Sequence, residues 1–268
     1  MKISEKDFFD FVQERQNIYI RKEILKQDPP YTEDEIFQKY HFCNVFREQD
    51  AGTKVVIGLE SDNDLELLTN IVCYRIFNRR NHFDRIGWID INKYDRQTFR
   101  EKLVAVKDTG PIYNTAYLTT WSFTYILDGL EYIMDNNFNL NDCETPMEVY
   151  KKLQKIKCVG PFLAYQLFLD LGCYFGDRFH KWNGNDFVCV GPGSKPTIAN
   201  MLEVDIKNLS DQQCADYMVY LRDTQDKYLN LEKKLDLAAV EHSLCEKNKY
   251  IKFKNNAGKK RLFKKNLI

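Results

Sequence analysis

The chain has 268 residues, of which 39 are basic and 39 acidic, so its formal charge is zero. Its 44% of hydrophobic residues suffices for a core and excludes a disordered or low-complexity chain. No apolar run approaches the ~18 residues of a membrane span, and the charged N-terminus MKISEKDFFD is unlike a signal peptide. We therefore expect a soluble cytoplasmic protein without a membrane partner.

The cysteines and histidines do not form a metal-binding pattern. None of the eight cysteines belongs to a CxxC pair, and the four histidines have no spacing typical of zinc ligands. Most cysteines have apolar neighbours, as in IVCYRIF and FVCVG, where a thiol behaves as a small core residue. The sequence predicts no metal site and reduced thiols in a reducing compartment.

The charge is distributed unevenly along the chain. Residues 247–268 contain nine basic and no acidic side chains, so residues 1–246 carry a net charge of −9. A basic tail interleaved with aromatic residues suits phosphate neutralisation on a nucleic acid. A solvated lysine-rich terminus is the alternative interpretation.

Helix signals dominate when the chain is followed from its N-terminus. The N-cap patterns Ser4-x-x-Asp7 and Thr32-x-x-Glu35 start two helices. Alternation then predicts a short strand at 54–59, and apolar spacing predicts helices over 65–76 and 116–134. Thr145-Pro146 starts another helix, which is followed by a second short strand at 186–190. Ser210-x-x-Gln213 starts the next helix, and apolar spacing over 231–244 predicts the last.

These signals predict a mainly α protein. We expect one domain over residues 1–250, in which helices form the core, and a basic C-terminal extension over residues 251–268.

The segment 153–166, LQKIKCVGPFLAYQ, predicts a hairpin between two helices. The first helix ends near Ile156, a tight turn contains Gly160, and the second helix begins at Pro161. This resembles the helix-hairpin-helix of DNA glycosylases, in which N–H groups at the start of the second helix hold a DNA phosphate. Cys158 stands where that hairpin usually has its first glycine. An ordinary corner between two helices is the alternative.

Two features that suit phosphate chemistry follow the hairpin. Asp186 lies 26 residues beyond Gly160, in the region where glycosylases have a catalytic Asp. The turn Gly191-Pro192-Gly193-Ser194-Lys195 exposes N–H groups beside a hydroxyl and an amine, and such a turn can hold phosphate oxygens. A plain chain reversal is the alternative.

Arginine and asparagine side chains lie among apolar residues in two segments, 41–50 (HFCNVFREQD) and 74–81 (YRIFNRRN). Arg75, Asn78 and Arg79 share one helix face. A planar guanidinium suits phosphate oxygens well. The alternative is a structural network of ion pairs, because a buried charge needs a partner.

The segment 239–250 contains acidic residues, a histidine and a cysteine at helical spacing. Glu241 and Cys245 are four residues apart, and so are His242 and Glu246. His242 and Glu246 can therefore act as base and orienting carboxylate. A weak surface ion pair is the alternative.

Six segments in the same order resemble the α-glutamyl/putrescinyl thymine pyrophosphorylase family, also called amino acid:DNA transferases. They are FCNVFREQD (42–50), YRIFNR (74–79), GPIYNTAY (110–117), VGPFLAYQLFLDL (159–171), DFVCVGPGS (186–194) and EHSLCEKNKY (241–250). A related helical domain is fused to kinases of 5-hydroxymethyldeoxyuridine in DNA. Those kinases have a P-loop, and this sequence has no GxxxxGK[ST] motif. Ser194 stands where many family members have alanine.

The resemblance implies an all-α, glycosylase-like fold and DNA hypermodification, typically in bacteriophages and thus in the host cytoplasm. The implied substrate is DNA that carries a 5-pyrophosphoryloxymethyl derivative of thymine. An amine from an amino acid or a polyamine displaces pyrophosphate and is attached to the methylene carbon. No cofactor is required, although Mg²⁺ can enter with the pyrophosphate.

The implied reaction suggests roles for the residues. The departing pyrophosphate needs positive charge and N–H donors, for which the candidates are Arg47, Arg75, Arg79, Gly191, Gly193, Ser194 and Lys195. The incoming ammonium must lose a proton, for which the candidate bases are Asp186, His242 and Glu246, with Asp186 first by its position.

DNA contacts are assigned in the same way. A flipped base would meet the candidate base-binding residues Asn44, Asn78, Tyr113, Asn114 and Tyr117. The DNA backbone would be held by Cys158, Val159, Gly160, Lys259, Lys260 and Arg261.

Two other functions stay open on the sequence alone. The hairpin followed by an Asp also suits a base-excision glycosylase, which would release a free base. A helical domain separated from a kinase would instead be a non-catalytic DNA-binding module.

Overall fold

The computed structural model describes residues 2–113 and 121–256. The first six α-helices are α1 (Glu5–Tyr19), α2 (Glu35–Lys39), α3 (Ala51–Ile57), α4 (Asp64–Phe77), α5 (Arg80–Ile86) and α6 (Arg96–Lys107). The other six are α7 (Phe123–Asp135), α8 (Pro146–Leu153), α9 (Pro161–Phe175), α10 (Lys195–Leu202), α11 (Asp211–Thr224) and α12 (Leu237–Lys254). A π-helical turn, Ile20–Ile24, continues α1, and short 3₁₀ turns lie at Arg47–Gln49, Gly176–Arg178, Ile206–Asn208 and Gln225–Lys227. The prediction of a mainly helical protein is confirmed.

Local capping chemistry starts the helices where it was recognised. Ser4 with Asp7 and Ser210 with Gln213 form complete capping boxes. Thr145 caps α8, with proline at the first helical position. The cap predicted at Thr32 is wrong by two residues. Asp34 caps α2, and the Thr32 hydroxyl accepts from the Asp34 N–H instead.

The two predicted strands are wrong. Residues 54–57 belong to α3, in which Thr53 and Val56, three residues apart, are the buried positions. Asp186 lies in a turn, and residues 187–190 form no regular element. No strand occurs within 2–113 and 121–256. Alternation over five or six residues cannot distinguish a strand from a short helix that buries one side.

Two helix boundaries also differ from the prediction. The last helix begins at Leu237 and not near residue 231, because Asp236 caps it through the Ala239 N–H. Gln225, in the preceding 3₁₀ turn, bonds both backbone groups of Leu235 and holds that residue outside the helix. In the segment predicted as a helix over 116–134, α7 starts at Phe123 behind the cap Ser122, and residues 116–120 lie outside the described part.

The internal contacts group the chain into two compact units. The sequence predicts one domain over residues 1–250 and an extension from residue 251, and this division stays a prediction. Unit 1 comprises the described residues within Met1–Asp50 and Val188–Ile268, and unit 2 those within Ala51–Phe187. In unit 1, α12 packs against α1, α2, α10 and α11. In unit 2, α4 packs against α5, α7 and α9, and α8 packs against α9. No described helix is long and apolar enough to cross a membrane.

The core of unit 1 is built from helix faces that carry aromatic and aliphatic residues. Phe8, Phe9 and Val12 of α1 are completely buried, as are Val240 and Leu244 of α12. They belong to one hydrophobic cluster with residues of α10 and α11. Burial of this kind contributes about 1.5–3 kcal/mol for each large side chain.

The core of unit 2 contains a buried ion pair. Arg75 of α4 is 2% exposed and forms two hydrogen bonds with Asp170 of α9, from Nε to Oδ2 at 2.6 Å and from Nη2 to Oδ1 at 2.8 Å. Its remaining N–H groups donate to the Thr53 hydroxyl at 3.1 Å and the Asn78 amide oxygen at 3.2 Å. Arg75 thus links α4 to α9 through Asp170 and to α3 through Thr53. Removing either ion of the pair would leave the other charge buried without a counter-ion.

Replacing Asp170 by Asn removes the anionic partner and leaves the guanidinium buried. We expect the free energy of unfolding to fall by about 3–5 kcal/mol, measured by urea denaturation followed by circular dichroism. Asp84→Asn at the exposed Arg80–Asp84 pair of the same unit is the matched control, and its loss should be far smaller. Equal losses in the two variants would contradict a structural role for the buried pair.

Candidate functional site

In unit 1, two of the predicted segments pack against the same helix. The Cys43 N–H, in the segment 41–50, donates to Glu246 of α12 at 3.0 Å. The turn 191–195 lies against α12, because a Cβ added to Gly193 would come within 2.6 Å of the Cys245 Sγ. We call Glu241, His242, Cys245 and Glu246 the α12 cluster. The candidate site of unit 1 consists of this cluster and the two segments that face it.

Glu241 is the buried acid of the α12 cluster. It is 4% exposed, and its Oε1 accepts from the Cys245 thiol at 3.2 Å. The Ser194 hydroxyl and the Gly191 N–H also interact with it. Burial raises the pKa of Glu241 to about 7, although these donors act in the opposite direction. The sequence analysis singles out Glu241 only by its spacing from Cys245. The available signal for its burial was an acid directly after the apolar run 237–240.

His242 and Glu246 are predicted to act as a base and its orienting carboxylate, but they have different neighbours. His242 Nε2 lies 3.9 Å from Oε2 of Glu241. Glu246 accepts from the Cys43 N–H and pairs with Lys249 at 2.5 Å. The carboxylate within range of the imidazole is therefore the unpredicted Glu241.

The turn 191–195 is shaped by its contact with α12. A Cβ at Gly191 would lie 3.3 Å from the Glu241 Oε1, so Gly191 is a second point, besides Gly193, at which the turn lies close to α12. Ser194 is fully buried, and its hydroxyl oxygen accepts from the Gly191 N–H at 3.3 Å. The Lys195 amine pairs with Asp211 of α11 at 2.8 Å and is thus directed away from the turn. Close packing therefore requires glycine at 193, whereas a Cβ at 191 would only crowd the Glu241 carboxylate.

Arg15, which we did not predict, organises the segment 41–50. This α1 side chain is buried and donates to the carbonyl groups of Cys43 at 2.6 Å and Asn44 at 2.8 Å, and to the Ser243 hydroxyl at 3.1 Å. Asn44 closes the segment on itself, since its amide donates to the Gln49 carbonyl at 3.0 Å. The segment is therefore held in place before any ligand arrives.

Arg47 begins a 3₁₀ turn beside Asp50. Burial raises the pKa of Asp50, while the Asn44 N–H and the charge of Arg47 act in the opposite direction. Arg47 is partly exposed, unlike Arg15, so its guanidinium lies nearer to solvent.

In unit 2, the predicted arginines differ in exposure. Arg75 is enclosed by Asp170, Thr53 and Asn78, which supports the structural alternative for this residue over a contact with pyrophosphate. Asn78 ends α4 in the left-handed conformation, and its amide oxygen is engaged by Arg75.

Arg79 and Tyr113, predicted to contact pyrophosphate and the base respectively, lie next to each other in unit 2. Arg79 is partly exposed and donates from Nε to the Tyr113 carbonyl at 3.1 Å. The Tyr113 ring stacks on Phe77 with a centroid distance of 5.8 Å, and burial raises the pKa of its hydroxyl to about 12. Of this pair, Arg79 has the side chain that can reach a ligand.

In the segment predicted as a hairpin, α8 and α9 pack against each other, and the turn between them differs from the expected glycine turn. The first helix ends at Leu153, and the second begins at Pro161 as predicted. Cys158 is completely buried, with its Sγ against Gly129 of α7, so neither its N–H nor its thiol faces solvent. Val159 is also buried. A phosphate would therefore have to meet Gly160 and the first turn of α9.

Asp186 is exposed beside an anchored aromatic ring. Its carboxylate accepts from the Asn183 N–H at 2.7 Å, which closes the turn before it. The neighbouring Phe187 packs at 5.3–6.0 Å from three rings of α8 and α9, those of Tyr150, Tyr165 and Phe168. The hairpin helices thus fix the position of Asp186.

Five predicted contact residues lie outside the described part of the chain: Asn114, Tyr117, Lys259, Lys260 and Arg261. Within the described part, no group of three or more His, Cys, Asp or Glu residues could hold a metal ion.

Glu241→Gln should stabilise the protein at high pH. An acid whose pKa rises from 4.5 to about 7 on folding destabilises the folded state once pH exceeds 4.5, and this loss reaches ~3 kcal/mol above pH 7. We expect equal free energies of unfolding near pH 4 and a more stable variant at pH 8, measured by urea denaturation. The matched control Glu203→Gln, at an exposed acid paired with Lys2, should show no such pH dependence. A variant less stable at pH 8 would contradict the cost of ionising Glu241.

Comparison with known proteins shows the family to which the chain belongs. The family model described as 5-hmdU DNA kinase, helical domain, matches residues 3–260. A 5-hmdU DNA kinase of Bacillus phage SP10 is 30% identical over an alignment 286 residues long, which covers 92% of this chain and 44% of that protein. The chain thus spans less than half the length of this relative. No solved structure matches it. The resemblance to these helical domains is confirmed, and the chain belongs to the family of the helical domain of 5-hmdU DNA kinases.

Proposed function

We propose that the chain modifies a thymine-derived base in DNA by displacing pyrophosphate from 5-pyrophosphoryloxymethyldeoxyuridine with an amine. The amine comes from an amino acid or a polyamine. The family match supports DNA carrying modified thymine as the substrate, because the relative is a 5-hmdU DNA kinase.

The observation that carries the proposal is the α12 cluster. A buried acid beside an imidazole, under a turn of close-packed glycines, suits a reaction in which a proton must be removed. Base removal by a glycosylase and simple DNA binding have no need of this acid. The glycosylase remains the second candidate, because Asp186 is exposed behind a hairpin.

We assign the remaining roles to predicted site residues that are at least partly exposed to solvent. In unit 1, Arg47 and N–H groups of the turn 191–195 are proposed to stabilise the departing pyrophosphate. In unit 2, the partly exposed Arg79 is a separate candidate for a phosphate contact, whereas Arg75 is paired with Asp170. In unit 2, we propose that the exposed carboxylate of Asp186 contacts the donor ammonium. In unit 1, we propose His242 for proton transfer, because the other candidate base, Glu246, is bonded to the Cys43 N–H and to Lys249. Gly160 and the first turn of α9 are proposed to hold a DNA phosphate.

The test of the reaction uses DNA that carries the pyrophosphorylated base and a mixed pool of amino acids and polyamines. After incubation, the DNA is digested to nucleosides, which are identified by mass spectrometry. We expect a nucleoside heavier than 5-hydroxymethyldeoxyuridine by the donor, and pyrophosphate release only when an amine is present. Abasic DNA would indicate the glycosylase, and unchanged base with salt-sensitive binding would indicate the binding module.

Asp186→Asn should weaken use of the amine while leaving DNA binding unchanged. We expect kcat/KM for the amine to fall about 10–100-fold, because a charge-assisted contact with the ammonium is lost. The asparagine can still accept from the Asn183 N–H, so the turn is preserved. Asp177→Asn, at an exposed acid of the same unit, is the matched control. An unchanged kcat/KM would remove Asp186 from the reaction.

Gly160→Ala separates a phosphate-binding hairpin from an ordinary corner. A Cβ at Gly160 meets no atom within 4 Å and its φ is −82°, so the fold should lose at most about 1 kcal/mol at this N-cap. The added methyl group would obstruct a phosphate, so we expect weaker DNA binding and a salt slope reduced by about 1. Gly58→Ala, where a Cβ makes only ordinary contacts from 3.5 Å, is the control. Unchanged binding would favour the ordinary corner.

A further inference from the structure

Glu241 is held by neutral donors only. Its partners are the Cys245 thiol at 3.2 Å, the Ser194 hydroxyl and the Gly191 N–H. Within the described residues, no lysine or arginine pairs with it, and the nearest group that can become cationic is His242 Nε2 at 3.9 Å. A buried carboxylate without a cation is costly, so this one is poised to accept a proton or to meet an arriving cation.

The charged groups on the elements that pack against α12 form their contacts with residues other than Glu241. Arg15 of α1 contacts Ser243, and Lys247 donates to the Asp7 carbonyl. Asp34, the cap of α2, accepts from Tyr250. The Cys43 N–H donates to Glu246, and Lys195, the first residue of α10, pairs with Asp211 of α11. None of these contacts is with the Glu241 carboxylate.

The neighbouring thiol is a donor and not a nucleophile. Burial, together with the Glu241 carboxylate, raises the pKa of Cys245, so the sulfur keeps its proton. The cluster therefore has one group that gains a proton readily, the carboxylate, and one partly exposed ring through which a proton can reach it, that of His242.

We propose that Glu241 is a positioning residue for proton transfer, which receives through His242 the proton that the donor amine must lose. This inference rests on the function proposed above. The ammonium R–NH₃⁺ gives one proton to the imidazole, and the imidazole passes one to the Glu241 carboxylate. The amine lone pair then forms the C–N bond at the methylene carbon, while the C–O bond breaks and its electron pair leaves with pyrophosphate. The attached nitrogen keeps its two remaining protons and carries a positive charge, so atoms and charge balance.

This role is consistent with the state of the acid at neutral pH. The pKa of Glu241 near 7 means that the carboxylate is partly ionised there and can accept and return a proton at low cost. Glu246, the other acid of the α12 cluster, differs from Glu241 because it is paired with a cation, Lys249. The arriving ammonium supplies the positive charge that the folded chain does not place beside Glu241.

The test compares Glu241→Gln with the unaltered chain on DNA carrying the pyrophosphorylated base. Two donors are used near neutral pH: putrescine, which is an ammonium there, and hydroxylamine, which is largely deprotonated and needs no base. We expect the variant to transfer putrescine about 100-fold more slowly and hydroxylamine nearly as fast as the unaltered chain. A merely structural role would slow both donors equally, so the ratio of the two rates does not depend on how much of the variant folds.

Glu203→Gln is the matched control and should transfer both donors at the unaltered rates. Equal slowing of both donors in Glu241→Gln, or full putrescine transfer by it, overturns this inference alone. Absence of transfer by the unaltered chain with either donor overturns the proposed function and this inference with it.

Discussion

A charge removed from water must find a partner or be neutralised, and this constraint determines which polar residues of each unit can act on a ligand. Arg75 in unit 2 has its anion, Asp170, and two further acceptors, so it serves the fold. Arg15 in unit 1 has three oxygen partners and fixes the segment 41–50. Glu241 is also buried with neutral partners, and an imidazole lies 3.9 Å away. Unlike a guanidinium, it can be neutralised by a proton near neutral pH, because burial raises its pKa to about 7.

How much could be predicted from the sequence depended on the range of the interactions involved. Capping boxes act over three residues, so Ser4 with Asp7 and Ser210 with Gln213 could be recognised directly. The role of Arg75 could not, because its partner lies 95 residues away and no local pattern links them. The segment 54–59 was misassigned because alternation over so few residues fits either a strand or a short helix. The α12 cluster was found through its spacing, but the choice of carboxylate required the packing around Glu241.

The turn 191–195 illustrates how one pattern can serve two purposes. Its glycines suggested a cradle for phosphate, yet both lie so close to Glu241 and Cys245 that a larger residue would collide or crowd them. The need for glycine is thus explained by packing on α12 and is not by itself a sign of a ligand. What the packing adds is a fixed distance between the turn and the buried acid, since the Ser194 hydroxyl and the Gly191 N–H both interact with Glu241. A ligand held by the turn would therefore lie beside a group that changes its protonation near neutral pH.

The three functions considered differ in the charge that they bring to a site. A glycosylase needs a carboxylate near a sugar that becomes positive, and the exposed side chain of Asp186 is suited to that task. A DNA-binding module needs only cations and N–H groups. Amine transfer brings an ammonium that has to lose its proton before it can react, and it does so while an anion departs. A buried acid with no cation of its own is an unfavourable element in the first two cases, because its desolvation is never compensated. In the third, the substrate itself supplies the missing positive charge and the proton.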